Sequence, residues 1–187
     1  MKSLDLRFRA HPWHGVPLGP EAPRIVTAYI EITQTDTVKY EVDKPTGLLR
    51  LDRVLYSAVH YPANYGLIPR THADDGDPLD ILVLMQEPVH PLTIVRTRPL
   101  GGLRMVDEHG GDDKIIGVCV DDPAYAHYRT IGELPPHVIR ELDRFFRDYK
   151  ILEGKQAEVE VGAMYDAARA LEVLIEARAA YDRGDWR

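Results

Sequence analysis

The chain of 187 residues is long enough for one domain with a substantial core, and its 44% hydrophobic and 28% charged residues are those of a globular protein. With 23 basic against 30 acidic side chains it carries a formal net charge of −7, which opposes general adhesion to nucleic acid. No apolar run approaches the roughly 20 residues of a membrane helix, and the alternating charged and apolar residues of Met1 to Ala10 do not form a secretory signal. The single cysteine, Cys119, lies in the apolar run Ile115 to Val120, where it reads as an inert buried thiol; a reducing, cytoplasmic setting is therefore expected.

In chain order, residues 1–24 read as an irregular N-terminal arm and residues 25–187 as a single domain. The arm holds four prolines and the segment His11-Pro12-Trp13-His14-Gly15, whose histidines are read as packing or surface residues in preference to metal ligands. Strands are expected over Ile25–Ile32, Lys39–Val42, Leu48–Leu55, Ile81–Met85, Leu92–Arg98 and Lys114–Val120, with turn clusters at 73–78, 98–102 and 107–113. Short strands separated by regular turns predict a small closed sheet or barrel. The last third changes period. Pro135-Pro136 opens a helix whose Leu142, Phe145, Phe146 and Tyr149 recur at i, i+3, i+4 and i+7, and Gly154 ends it. A second helix is expected from about Ala163 to Arg183, with Met164, Ala167, Ala168, Leu171, Leu174 and Ile175 on its buried stripe. The expected fold is mainly β with α, a β-barrel core with two flanking helices.

The chemistry concentrates in Asp74-Asp75-Gly76-Asp77-Pro78-Leu79-Asp80. Four carboxylates this close repel one another unless cations neutralise them, and hard oxygen donors suit magnesium or calcium. An EF-hand fails, because counting from Asp75 the twelfth position is Gln86 where a bidentate glutamate is needed. An Asp/Gly/Pro surface turn is the bland alternative. A second acidic cluster, Asp107-Glu108-His109-Gly110-Gly111-Asp112-Asp113, precedes Lys114. Acids alone would suit a calcium-binding module, but Lys39, Arg53, Tyr61, Tyr65, Lys114, Tyr149 and Lys150 accompany them. Magnesium binds through a few carboxylates plus substrate phosphates, and Arg and Lys supply donors to phosphate oxygens, so a site of both signs fits a polyanion held between metal ions and cationic side chains. Taken singly, each cation has an ordinary explanation: Lys39 and Arg53 as exposed strand residues paired to Glu41 and Asp52, Tyr149 as core.

These residues resemble those of the family I soluble inorganic pyrophosphatases over roughly residues 25–155. Asp75-Gly76-Asp77-Pro78-Leu79-Asp80 matches the family's Asp-x-Asp-Pro-x-Asp signature. Further matches, in register, are Ile30-Glu31-Ile32, Lys39-Tyr40-Glu41, Leu51-Asp52-Arg53, Tyr61-Pro62 through Asn64-Tyr65-Gly66, Asp107 with Asp112 and Lys114, and Phe145-Phe146 through Tyr149-Lys150. The resemblance implies an OB-like five-stranded barrel, pyrophosphate as substrate, several Mg2+ ions per site with Mn2+ or Zn2+ as substitutes, and a homohexamer. It implies Asp75, Asp80, Asp107 and Asp112 as metal ligands with Glu31 and Glu41 serving a further ion. Lys39, Arg53, Tyr65, Lys114, Tyr149 and Lys150 would contact phosphate; Asp77 would be the general base, with Tyr61 supporting the catalytic group from behind. The chain departs from the pattern at Thr33, where the family usually has proline, and at Ala163, where tryptophan is common.

Two other functions share parts of this pattern. A non-catalytic OB-type module for oligonucleotides needs a basic groove with stacking aromatics, and a phosphoesterase for an organic substrate needs a pocket for a base or sugar. Within the site itself, seven carboxylates (Glu31, Glu41, Asp75, Asp77, Asp80, Asp107, Asp112) face four cations (Lys39, Arg53, Lys114, Lys150), a surplus of three negative charges. That surplus predicts that neutralising Asp80 leaves the metal-free protein no less stable.

Overall fold

The computed structural model describes residues 11–107, 110–153 and 160–184. In chain order the elements are β1 (Val26–Ile32), β2 (Val38–Val42), β3 (Leu49–Val54), β4 (Asn64–Leu67), β5 (Asp80–Leu84), β6 (Ile94–Asp107), β7 (Gly110–Cys119), α1 (Pro136–Asp148), β8 (Glu160–Asp166) and α2 (Ala167–Arg183). Strand β1 pairs with β4 through its second half and with β6 through its first, both antiparallel. Strand β4 pairs with β5, β5 with β7, and β7 with β6, so five strands close on themselves. The β5–β7 pair alone within the ring is parallel. Strand β8 adds to the outside of β6, and β2–β3 form a separate hairpin. The result is the expected OB-like five-stranded barrel with two helices.

Both faces of the ring strands are covered. Leu82, Leu84, Ile116 and Val118 turn toward the core beneath α1, with Leu142, Phe145 and Phe146 of that helix. Ile81, Val83, Ile115 and Cys119 turn to a second core closed by Ala170, Val173, Leu174 and Ala177 of α2. This two-sided burial explains why β5 reads as a continuous apolar run instead of an alternating one. Cys119 is a buried free thiol. Among the described residues no helix is long and apolar enough to cross a membrane.

Several boundaries differ from the sequence expectation, each for a local reason. Asn64–Leu67 was not expected as a strand, since Asn, Gly and neighbouring Pro62 signal a turn; tertiary pairing on both sides overrides them. No turn interrupts residues 98–102: β6 continues with a bulge between Pro99 and Gly101. Glycine is required there, because a Cβ on Gly101 would lie 2.3 Å from the Tyr165 carbonyl oxygen. The cluster at 107–113 is also narrower, with β6 reaching Asp107 and β7 starting at Gly110. Residues 160–166 form β8, and α2 starts only at Ala167, where the Asp166 carboxylate caps it by accepting from Arg169 N at 3.0 Å. The buried stripe of α2 is Ala170, Val173, Leu174 and Ala177, and Ile175 is exposed. The expected stripe shares Leu174 with this face, and Leu171 packs partly against the same core; the face is turned toward Ala170 and Ala177, whose small side chains allow close contact. Gly154, expected to end the first helix, lies outside the described residues; α1 ends at Asp148.

Gly66 shows how tightly β4 is set against β1. A Cβ there would stand 1.9 Å from the Tyr29 carbonyl oxygen and 2.8 Å from Ile30 Cα, both backbone atoms that cannot step aside. Gly66→Ala is expected to destabilise the protein by about 3 kcal/mol or more, lowering the melting temperature by roughly 6–12 °C for a chain of this size. A thermal melt within about 2 °C of the unsubstituted protein would show that β1 and β4 are further apart than described.

Candidate active site

A cavity of about 490 Å³ lies against the barrel. Its walls come from six places: Glu31 of β1, Lys39 and Glu41 of β2 with Arg53 of β3, Tyr61 and Tyr65 around β4, the loop Asp75–Asp80, Asp112 and Lys114 of β7, and Tyr149 with Lys150 just past α1. Thirteen of the fourteen expected site residues therefore face one space. The fourteenth, Asp107, ends β6, and its side chain lies outside the description.

Strand pairing sets the charge geometry. In the parallel β5–β7 pair, Asp80 is the partner of Lys114, and Asp112 lies two residues before Lys114 on the same side of β7. The Lys114 ammonium consequently bridges both carboxylates, ion-paired to Asp80 and 2.5 Å from Asp112, although Lys114 is only 5% exposed. Burial alone would pull its pKa down; Asp80 and Asp112 outweigh it and hold the group well above the ordinary lysine value. In the β2–β3 hairpin, Lys39 and Arg53 are directly paired, and Asp52 accepts from both, at 3.0 and 2.5 Å. Lys39 is also ion-paired to Glu41, and Arg53 donates through Nε to Glu153 at 2.8 Å. These are the strand pairings that the sequence offered as the ordinary explanation, yet both cations still line the cavity.

The acids pay for this crowding in their protonation. Burial, then the charge of Asp80, pushes Glu31 up to about 8. Glu31 is 6% exposed, and its Oε1 accepts from Val42 N at 2.7 Å, which ties β1 to the hairpin. Asp75 is pushed up to about 6 by burial and by its neighbours Asp112 and Asp80, and Asp112 is raised by burial, with Asp80 adding to it. Gly76, at φ +88°, turns the loop so that Asp77 N donates to Asp75 Oδ1 at 3.0 Å while both carboxylates face the cavity. Below lies an aromatic floor in which Phe145 is 4.9 Å from Tyr61 and 5.2 Å from Tyr149, ring centre to ring centre. Burial holds the Tyr61 and Tyr65 phenols above their ordinary range, so both are neutral donors.

The donor set fits a hard divalent cation: Glu31, Glu41, Asp75, Asp77, Asp80 and Asp112 all bring carboxylate oxygens to one space. Among the described residues no three potential ligands are yet gathered at one point. Lysine ammoniums hold the acids instead, Lys114 on Asp80 and Asp112, Lys44 on Asp77. This changes the stability expected for Asp80. Counted with the other acids Asp80 is one more repelling charge, whereas in the structure it is a partner of the buried Lys114. Sequence reading missed Lys44 and Trp13, which also line the cavity. A Lys-Pro turn and an N-terminal tryptophan carry no local signal of such a place. His14 packs against Trp13 and His11, its ring centre 4.7 and 4.6 Å from theirs, in line with the packing role the sequence favoured.

Comparison with known proteins matches this arrangement. The family model described as inorganic pyrophosphatase covers residues 28–182. A soluble inorganic pyrophosphatase of Zea mays is 53% identical over 175 residues, 93% of this chain and 81% of that one. Soluble inorganic pyrophosphatase PPA1 of Solanum tuberosum is 55% identical over 151 residues, 81% of this chain and 72% of its own. The crystal structure of inorganic pyrophosphatase from Thermus thermophilus superposes with a TM-score of 0.85 at 43% identity, over 89% of this chain and 97% of that one. With the family match spanning most of the chain and the barrel superposing on a solved relative, the chain belongs to the inorganic pyrophosphatase family.

Proposed function

We propose that this chain hydrolyses inorganic pyrophosphate to two phosphates in its mixed-charge cavity, as a magnesium-dependent cytoplasmic enzyme. The observation that carries the reading is Lys114, a buried cation between two carboxylates in a space also lined by Lys39, Arg53 and Lys150. A small polyanion needs both halves of such a site: cations for its oxygens and acids for the ions that accompany it. An oligonucleotide module has no use for the acids, and a phosphoesterase for organic substrates would need an apolar slot beside them; neither alternative is favoured.

In this reading Lys39, Arg53, Lys114 and Lys150 draw off charge that gathers on the leaving phosphate as the bridging P–O bond breaks, and Tyr65 and Tyr149 donate hydrogen bonds to it. Asp77 orients the attacking water and accepts its proton. Tyr61 holds the floor against Phe145 so that Tyr149 keeps its place. Asp75, Asp80, Asp107 and Asp112 would hold the metal, with Glu31 and Glu41 serving a further ion. Magnesium, when bound, neutralises phosphate charge and acidifies the attacking water. A homohexamer is part of the same proposal, carried over from the family resemblance.

Phosphate release should be rapid with pyrophosphate and magnesium and much slower with ATP or a phosphomonoester, and it should stop in excess EDTA. Undiminished turnover after chelation would remove the metal from the mechanism. Asp77→Asn is expected to lower the turnover number about 100-fold or more, the scale of a lost general base, while magnesium binding measured by calorimetry stays within about three-fold. A wild-type rate at saturating magnesium would refute the role given to Asp77.

Asp80→Asn tests the buried ion pair and the metal together. Without metal it leaves Lys114 with Asp112 alone. Breaking a buried pair outright costs about 3–5 kcal/mol, and the surviving partner reduces this to about 1–2 kcal/mol, roughly 2–8 °C in melting temperature. Magnesium at about 100 times its dissociation constant should stabilise the wild-type protein by about 2.7 kcal/mol, and most of that gain should vanish in the variant. Melts in EDTA and in excess magnesium decide it; a full magnesium gain in Asp80→Asn would place the metal elsewhere.

A further inference from the structure

The segment His11–Gly15 lies before the residues that the family match covers, yet its Trp13 lines the cavity. Trp13 is 3% exposed; its indole Nε1 donates to the Thr71 carbonyl at 2.7 Å, and its own carbonyl accepts from Arg70 N at 2.8 Å. This fixes the segment against the chain that leads into the acidic loop. His11 then reaches in the other direction. Its Nδ1 accepts from Trp13 N at 3.2 Å, so the neutral ring carries its proton on Nε2, which lies 2.8 Å from the Lys44 carbonyl and donates to it.

Lys44 sits in a tight turn after β2, closed by Gly47 N donating to the Asp43 carbonyl at 2.7 Å. Gly47, at φ +73°, lets the turn approach the imidazole, since a Cβ there would lie 2.9 Å from the His11 ring. The Lys44 ammonium forms an ion pair with Asp77 and lies 3.4 Å from the Gly76 carbonyl. Both side chains of that pair are about half exposed, 53% and 50%, so the pair alone is too weak to hold its geometry. The backbone anchor from His11 supplies what the ion pair lacks.

We propose that His11 and Trp13 form a strut that fixes the 43–47 turn, and that Lys44, carried on this turn, is a positioning residue that aims the Asp77 carboxylate at the attacking water. This rests on the role given to Asp77 above. A residue acting only through Asp77 changes turnover and leaves substrate and metal binding alone.

The test is steady-state kinetics of the full-length protein at saturating magnesium, with magnesium binding to the metal-free protein followed by calorimetry. Lys44→Met is expected to lower kcat about three-fold, the scale of an exposed ion pair, with KM for pyrophosphate and magnesium affinity within about two-fold of wild type. Lys44→Arg should restore most of the loss. His11→Ala should repeat the loss in kcat without raising KM, and Gly47→Ala, which forces the turn away from the imidazole, should do the same if His11→Ala folds poorly. Added to Asp77→Asn, Lys44→Met should cost nothing further. An unchanged kcat in Lys44→Met, or a raised KM alone, overturns the positioning role. An unchanged kcat in both His11→Ala and Gly47→Ala overturns the strut. Asp77→Asn with wild-type turnover overturns the role of Asp77 itself, whereas a slow Asp77→Asn beside an unaffected Lys44→Met removes only Lys44.

Discussion

The placement of one buried ammonium organises the site. Lys114 is nearly inaccessible, and a lysine so placed remains charged only because Asp80 and Asp112 stand on either side. Their arrival depends on the single parallel pairing in the ring: β5 against β7 puts Asp80 beside Lys114, and the period of two along β7 puts Asp112 on the same side. A slip of one residue would turn Lys114 into the apolar core beneath α2, where Ile115 now lies. Barrel closure and site chemistry are therefore one constraint. The apolar alternation that buries Ile115 and Ile116 in opposite cores is also what aims Asp112 and Lys114 into the cavity.

The remaining charges are delivered by pieces outside the ring. The β2–β3 hairpin carries Lys39, Glu41 and Arg53, and its hold on the barrel includes the bond from Val42 N to Glu31. A carboxylate as buried as Glu31 is costly to ionise, and the neighbouring charge of Asp80 adds to that cost. At the far end, Glu153 holds Arg53 from the turn that follows Lys150, so the hairpin and the end of α1 meet across the cavity. The site is thus an assembly of elements distant in sequence around one rigid strand pair.

Much of this was legible in the sequence. Alternation marked β1 and β2, the turn at Lys44–Gly47 marked the start of β3, the i, i+3, i+4 stripe marked α1, and acids and cations in ordered motifs gathered the residues that now line one cavity. What stayed hidden required tertiary information. Asn64–Leu67 carries turn residues and becomes a strand because β1 and β5 pair with it on both sides. Pro99, Gly101 and Gly102 read as a turn and instead form a bulge against which Tyr165 packs. The stripe of α2 differs from the expected one because residues 160–166 pair with β6 as a strand, so Met164 is no part of the helix, and because tertiary packing buries Ala170, Val173 and Ala177 while Ile175 faces outward. Lys44 and Trp13 were missed since their significance arises from contacts such as His11 with Lys44, 33 residues apart.

The charge count shows where composition misleads. A surplus of acids implies that each one weakens the metal-free fold, and for Glu31 and Asp75 the raised protonation agrees. Asp80 belongs to the same surplus yet is expected to stabilise, because the sign of a buried charge's contribution is set by its nearest partner and not by the sum. Function and stability are thus divided among the acids rather than opposed in all of them. Asp80 serves the fold through Lys114 while its carboxylate also faces the cavity, so one residue belongs both to the ion pair that keeps a buried lysine charged and to the lining of the site.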